Sequence, residues 1–237
     1  MKRTDKVKLN WPSCDYKDLT KNRRHCRKFY SAIAKELTKD QPIIICFSGG
    51  VDSTVLAHAT YNAYLMYFGV PPQMKLVYIN HQFRSAEHIQ NDIKHMIATA
   101  EALNIRWCHQ TISCDHNQAS AREARYNKLA DAVFDGIGLL GHHANDVVET
   151  KLFQFLTGRP VTGIAKERMH NGARFVRPML GLLRDDVLEY ARIWNLSWSE
   201  DCSNETNEYT RNRIRHDLIP WIEQNVNEGV VKILSSS

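Results

Sequence analysis

Ile43-Ile44-Ile45-Cys46-Phe47-Ser48-Gly49-Gly50-Val51-Asp52-Ser53 is the stretch on which the fold turns. Its first five residues are apolar without a break, as in a strand buried on both faces. The next six bring two hydroxyls, two glycines and a carboxylate. From Asp52 to Phe68 the pattern predicts a helix, ended by Gly69-Val70-Pro71-Pro72. In an open parallel sheet, the turn between such a strand and its helix is where a nucleotide phosphate sits. Gly49 and Gly50 let the backbone come close, and the helix start offers free N–H groups and a positive dipole end. Ser48 and Ser53 add hydroxyl donors, and Val51 completes the turn. Asp52 is out of place in a plain anion cradle, but a carboxylate beside phosphate makes sense if it holds Mg²⁺. The loop lacks the Gly-Lys-Ser/Thr ending of a Walker motif and does not follow G-x-G-x-x-G.

Working outward, strands and helices alternate. Leu76–Ile79 predicts a second buried strand and Ala86–Leu103 a second helix. Ile105–Ile112 predicts a third strand, and Ser120–Phe134 a third helix opened by a capping box, Ser120 to Glu123. Ile137–Leu140 and Asp146–Leu156 make a fourth pair. The alternation means an α/β fold with a doubly wound parallel sheet. Beyond residue 158 the pattern loosens: Phe175–Pro178 predicts an edge strand, and Arg184–Trp194 and Arg211–Gln224 predict helices. The expected organisation is a basic helical segment over 1–40, an α/β domain over 41–180 and a helical part over 181–237.

The chain has 237 residues and a formal net charge of +5. Residues 1–40 hold 12 Lys/Arg against 5 Asp/Glu, a balance of +7, and the remainder holds 19 against 21. A near-neutral body with a basic front suggests a polyanionic partner such as nucleic acid, although a solvated helix face produces the same pattern. Residues 20–38 read as an amphipathic helix, with Phe29, Tyr30, Ile33 and Leu37 opposite Arg23, Arg24, Arg27 and Lys28. No secretory apolar region follows Met1-Lys2-Arg3, and Val55–Val70 is too short and mixed to span a bilayer. The six cysteines form no C-x-x-C pair, which fits packing roles in a reduced cytoplasm rather than metal ligation.

A second loop of the same kind, Gly141-His142-His143-Ala144-Asn145-Asp146-Val147-Val148-Glu149-Thr150, follows the fourth strand. With strands in the order 3-2-1-4, Asp146 comes to lie beside Asp52, and the two carboxylates can share Mg²⁺ on a polyphosphate. Asn145 and the Asp146/Glu149 spacing also suit a plain helix cap.

The first loop resembles the pyrophosphate loop of the N-type ATP pyrophosphatases. The second resembles the His-His-Ala-Asp-Asp-x-x-Glu-Thr motif of the tRNA(Ile)-lysidine synthetases. Further motifs of that family follow in order: Asn80-His81-Gln82-Phe83-Arg84, Asn117 to Tyr126, Arg177-Pro178-Met179-Leu180, Trp198 to Asn204 and Arg211 to His216. The resemblance covers about residues 42–222. It implies that ATP, Mg²⁺, free lysine and tRNA meet here, in a cytoplasmic ligase that converts the wobble cytidine of the minor isoleucine tRNA to lysidine. It further implies that Ser48, Gly49, Gly50 and Ser53 hold pyrophosphate and that Asp52 and Asp146 hold Mg²⁺. Glu149 and His143 are the candidates to take the proton of the lysine amine. It also implies that Arg122 contacts ATP phosphate or cytosine and that His81 and Arg84 face ATP, although Arg84 also suits a plain surface side chain. Arg211, Asn212 and Arg215, at i, i+1 and i+4 on one helical face, together with Arg23, Arg24, Arg27 and Lys28, are expected to contact tRNA.

Three departures stand out. Asn145 replaces the first Asp of the family pair, Cys202 replaces a Pro, and Thr157-Gly158-Arg159-Pro160 replaces the usual Arg-Gly-Ser-Gly. The 237 residues are expected to be the catalytic portion only, with the basic front standing in for C-terminal tRNA-gripping domains. Two rival readings are another ATP-dependent tRNA modifier, such as a thiolase, and a catalytically weak tRNA- or protein-binding homologue.

Overall fold

The computed structural model describes residues 23–80, 85–112, 118–199 and 210–236. The apolar run forms β1 (Ile43–Phe47), buried along its whole length, and the glycine turn leads into α2 (Val51–Phe68). Before them stands α1 (Arg23–Ala34), and after them come β2 (Met74–Asn80), α3 (Ala86–Leu103), β3 (Arg106–Thr111), α4 (Gln118–Val133), β4 (Ile137–Leu139) and α5 (Ala144–Leu156). The strand order is β3-β2-β1-β4-β6-β5, so the expected 3-2-1-4 core is present and parallel.

Two expectations fail. β6 (Ala173–Val176) is no edge strand: it pairs in parallel with β4 and antiparallel with β5 (Glu167–His170), which takes the edge. The hairpin turn is Asn171-Gly172, with φ of 47° and 78°, and an Asn-Gly step between short strands is its sequence signal. Ser120 is also no N-cap, because α4 is already helical at Gln118.

The C-terminal part comprises α6 (Arg184–Ile193), α7 (Thr210–Arg213), a π-helical turn (Ile214–Leu218), α8 (Ile219–Asn225) and α9 (Val230–Ser236). Among the described residues no helix is long and apolar enough to cross a membrane.

Helix α1 is a core element rather than an appendage. Cys26, Phe29, Tyr30 and Ile33 are buried together with Leu56 of α2 and with Tyr190 and Trp194. A polar thread runs through this packing. His58 Nδ1 lies 3.0 Å from the Tyr190 hydroxyl, which donates to Tyr30, and the Trp194 indole N–H donates to Cys26 Sγ at 3.2 Å. Burial pushes the pKa of His58 down to about 3, and burial likewise holds His95 and His142 at about 4. These histidines fold as neutral bases, whereas the unfolded chain protonates them near pH 6.5. The unfolded state therefore binds more protons as pH falls, and stability is lost from about pH 6.5 down through about pH 4 to 3. A denaturant midpoint series should show this slope. His58→Gln should flatten it by on the order of 2–4 kcal/mol between pH 6.5 and 4, taking about 1.4 kcal/mol per pKa unit.

Candidate active site

The two loops predicted to meet do so at the C-terminal ends of β1 and β4, which are adjacent strands. Gly141 shows how closely they meet: a Cβ there would lie 3.1 Å from the carbonyl carbon of Asp52 and 3.2 Å from the backbone N of Ser53. A methyl group there would have to push the first loop back by a few tenths of an ångström, so this position holds one loop close against the other. In the first loop the backbone N–H of Ser48 donates to Ser53 Oγ at 3.2 Å, and Ser53 Oγ donates to the Gly50 carbonyl at 3.0 Å. Gly50 leaves the helix start without a side-chain cap, so the N–H groups of that turn remain available to an anion. Gly49 has φ of +88°, and a Cβ on it would sit 2.5 Å from Asp92 Oδ1. Asp92 is itself buried on α3 and accepts from the Tyr78 hydroxyl at 3.1 Å. It is thus a floor under the loop that the sequence did not single out.

His143 stands between the two carboxylates. Its Nε2 is 3.6 Å from Asp52 Oδ1 and its Nδ1 is 3.5 Å from Asp146 Oδ2. Among the described residues, both ring nitrogens and Asp52 Oδ1 are buried without a hydrogen-bond partner. His143 rather than Asn145 is the N-cap of α5, and Asp146 reaches back to accept from the His143 N–H at 2.8 Å. Burial raises the pKa of Asp52, with His143 opposing and Asp146 reinforcing the shift. Burial acts the same way on Asp146. There interactions with His143 and His142, the backbone N–H of His143 and Arg215 prevail, and the net direction is down.

Asn145 has a different task. Its Oδ1 accepts from the backbone N–H of Arg184 at 3.0 Å and so docks the start of α6 on the start of α5. An aspartate carboxylate offers the same acceptor to that N–H. Asn145→Ala is expected to cost about 1 kcal/mol, the usual value of a lost helix-start acceptor. Asn145→Asp should keep the melting temperature within about 3 °C of the parent and turnover within about twofold, since acids at helix N-termini gain only about 0.3–1 kcal/mol.

One turn along α5, the Glu149 side chain is buried. Arg215 donates to Glu149 Oε1 from Nε at 2.6 Å and to Oε2 from Nη2 at 2.9 Å, and the same Nη2 lies 3.4 Å from Asp146 Oδ1. Arg211 donates to Thr150 Oγ1 at 2.7 Å. Arg215, expected among the tRNA contacts, points into the site, onto Glu149 and toward Asp146. Arg122, Arg211, Asn212 and Arg215 line one cavity of about 510 Å³ with Asp146 and Glu149. Its wall is held by Arg177, a buried residue the sequence offered only inside a motif. Arg177 donates to the Ala165 carbonyl at 2.7 Å, the Tyr126 hydroxyl at 2.9 Å and His142 Nδ1 at 3.3 Å. Arg168 of β5, also missed, lies over the Tyr126 ring at 4.3 Å.

The remaining candidates divide. Arg27 is exposed, and Lys28 is tied to Asp186. His81, Arg84, the stretch from Glu200 to Asn204, and the side chains of Arg23 and Arg24 lie outside the described residues. Cys26 and Cys46 are buried, and burial pushes the Cys46 thiol up to about 12, while Cys14, Cys114 and Cys202 also lie outside.

The family of PP-loop domains matches residues 19–222. This chain belongs to the PP-loop family. The match starts at residue 19, so α1 lies inside the PP-loop domain rather than before it, as its burial already shows. The tRNA(Ile)-lysidine synthase of Legionella pneumophila (strain Lens) is 35% identical over 193 residues, covering 78% of this chain and 43% of that protein. The enzyme of the same name from Coxiella burnetii is 33% identical over 196 residues, covering 79% and 43%. The chain thus spans less than half the length of these relatives. Among solved structures, the U34-tRNA thiolase NcsA from Methanococcus maripaludis, with its 4Fe–4S cluster, superposes with a TM-score of 0.68. It is 16% identical and covers 94% of this chain and 79% of that one, a likeness of PP-loop fold.

Proposed function

We propose that this PP-loop chain carries the catalytic centre of an ATP-dependent tRNA-modifying ligase, which joins lysine to the 2-carbon of the wobble cytidine of the minor isoleucine tRNA, anticodon CAU. The observation that carries this reading is the convergence of the phosphate loop with the Asp146–Glu149 helix start, beside a cavity lined by both carboxylates and by arginines. The names of the relatives agree with it.

In the first step the 2-carbonyl oxygen of cytosine attacks the α-phosphate of ATP, and pyrophosphate leaves. Ser48, Ser53 and the open N–H groups after Gly50 receive that leaving group. In the second step the ε-amine of lysine forms a bond to the 2-carbon, and the activated oxygen departs within AMP. The amine attacks in its neutral form, so a base takes its proton. Among the described residues, no hydrogen bond occupies the ring nitrogens of His143, whereas Glu149 can accept a proton only once Arg215 has left it.

Among the described residues no group of three side chains is set to hold a metal. Magnesium needs no such cage, since it is commonly held by one or two carboxylates and by substrate phosphates. Asp52, with its buried unpartnered Oδ1, and Asp146 fit that pattern. Bound there, the ion supplies neutralisation of the charge gathering on pyrophosphate. Arg211 and Asn212, on the cavity, and the exposed Arg27 remain the candidates for RNA phosphate contacts.

The test is incubation with tRNA, ATP·Mg²⁺ and labelled lysine, followed by digestion to nucleosides. Label on cytidine is the expected result. A different modified base assigns the chain to another chemistry, and no modified base with ATP bound overturns the ligase reading.

A further inference from the structure

Arg215 occupies groups that the proposed reaction needs free. Both oxygens of buried Glu149 accept from its guanidinium, at 2.6 and 2.9 Å. Its Nη2 also lies 3.4 Å from Asp146 Oδ1, the oxygen that the His143 cap leaves over. A guanidinium so placed fills the position that an incoming ammonium or amine would take beside these acids. The two are competitors for one anionic spot, and charge-assisted forks of this length are strong. The same arginine also interacts electrostatically with Asp52 on the phosphate loop. It is carried on the π-helical turn Ile214–Leu218, a backbone form that is uncommon and often marks a functional position. Its side chain is about one quarter exposed on the cavity side, so it has somewhere to go.

We infer that Arg215 is a positioning residue that sets the order of binding: without nucleotide it closes on Glu149 and Asp146, and the polyphosphate of ATP draws it off, opening the acids to the amine substrate. This rests on the ligase reading above. The physical basis is simple competition between anions. A tetra-anionic ATP arriving at the phosphate loop offers the guanidinium an alternative partner, and phosphate matches its fork as well as carboxylate does. A latch closed about nine-tenths of the time weakens amine binding about tenfold, because only the open fraction is competent. Linkage requires the converse: lysine must tighten nucleotide binding by the same factor.

The experiment measures lysine binding by equilibrium dialysis on the 237-residue chain, with and without a non-hydrolysable ATP analogue and Mg²⁺. For the parent, lysine affinity should rise about tenfold with nucleotide. For Arg215→Gln, lysine affinity without nucleotide should rise to within about threefold of the value with it, and the reciprocal effect on nucleotide binding should vanish. If Arg215→Gln does not fold, Arg215→Lys takes its place. Lysine keeps the charge but makes one bond where the fork makes two, so the nucleotide dependence should shrink several-fold, and a dependence as large as the parent's overturns the inference. Equal lysine affinity with and without nucleotide in the parent also overturns it. So does weaker lysine binding by Arg215→Gln in both conditions, which would make Arg215 part of the lysine pocket. A parent that binds nucleotide and never binds lysine removes the ligase reading itself, and the latch with it.

Discussion

Asp52→Asn is expected to lower pyrophosphate release by about 10²- to 10³-fold, the usual cost of removing one preorganised group that faces developing charge. Its fold should survive. Asp52 carries a carboxylate whose ionised form is already disfavoured by burial and by Asp146. The amide keeps the shape and removes that repulsion, so the melting temperature should stay level or rise slightly. His143 should remain in place, because the backbone contact that fixes it is to Asp146, not Asp52. The check pairs pyrophosphate release with a thermal melt on the same sample. Near-parental turnover in a folded Asp52→Asn protein would remove Asp52 from the reaction.

Gly49→Ala is expected to act on stability and turnover together. The left-handed φ of +88° costs an L-residue about 1–2 kcal/mol. The new methyl also meets Asp92 Oδ1 at 2.5 Å, and overpacking of this kind adds about 1–3 kcal/mol. Asp92 cannot simply step aside, since it is buried and held by Tyr78. The loop also loses its backbone shape, so ATP affinity should fall with stability. The double variant Gly49→Ala/Asp92→Ala separates the two costs: it should recover the steric part of the loss and none of the backbone part. Denaturant midpoints of the four proteins in that cycle measure this. Full recovery would show that φ at residue 49 carries no penalty.

Much of the site was readable because it is local. Ser48 to Ser53 and Gly141 to Glu149 each follow a strand directly, so their chemistry travels with a backbone that the hydrophobic pattern already places. What was misread is mostly non-local. Phe175–Pro178 has the composition of an edge strand, but the Asn171-Gly172 turn brings β5 outside it. Helix α1 has a basic face that suggests an appendage, yet its other face carries Phe29, Tyr30 and Ile33 into the main core. Asn145 stood out only as a departure from the family pair, and its partner, the backbone N–H at the start of α6, lies 39 residues away.

From sequence alone, then, came the parallel α/β sheet, the 3-2-1-4 order and the adjacency of the two loops. Hydrophobic period places the strands and helices, and the common doubly wound order 3-2-1-4, taken with it, sets the two loops side by side. Only the tertiary structure decided what the carboxylates touch. No periodicity relates Glu149 to Arg215, which are 66 residues apart, or Gly49 to Asp92 across α2 and β2. Those pairings arise where α3 packs beside the phosphate loop and the C-terminal helices pack on α5, and side-chain reach there depends on the distances between elements rather than on spacing within one.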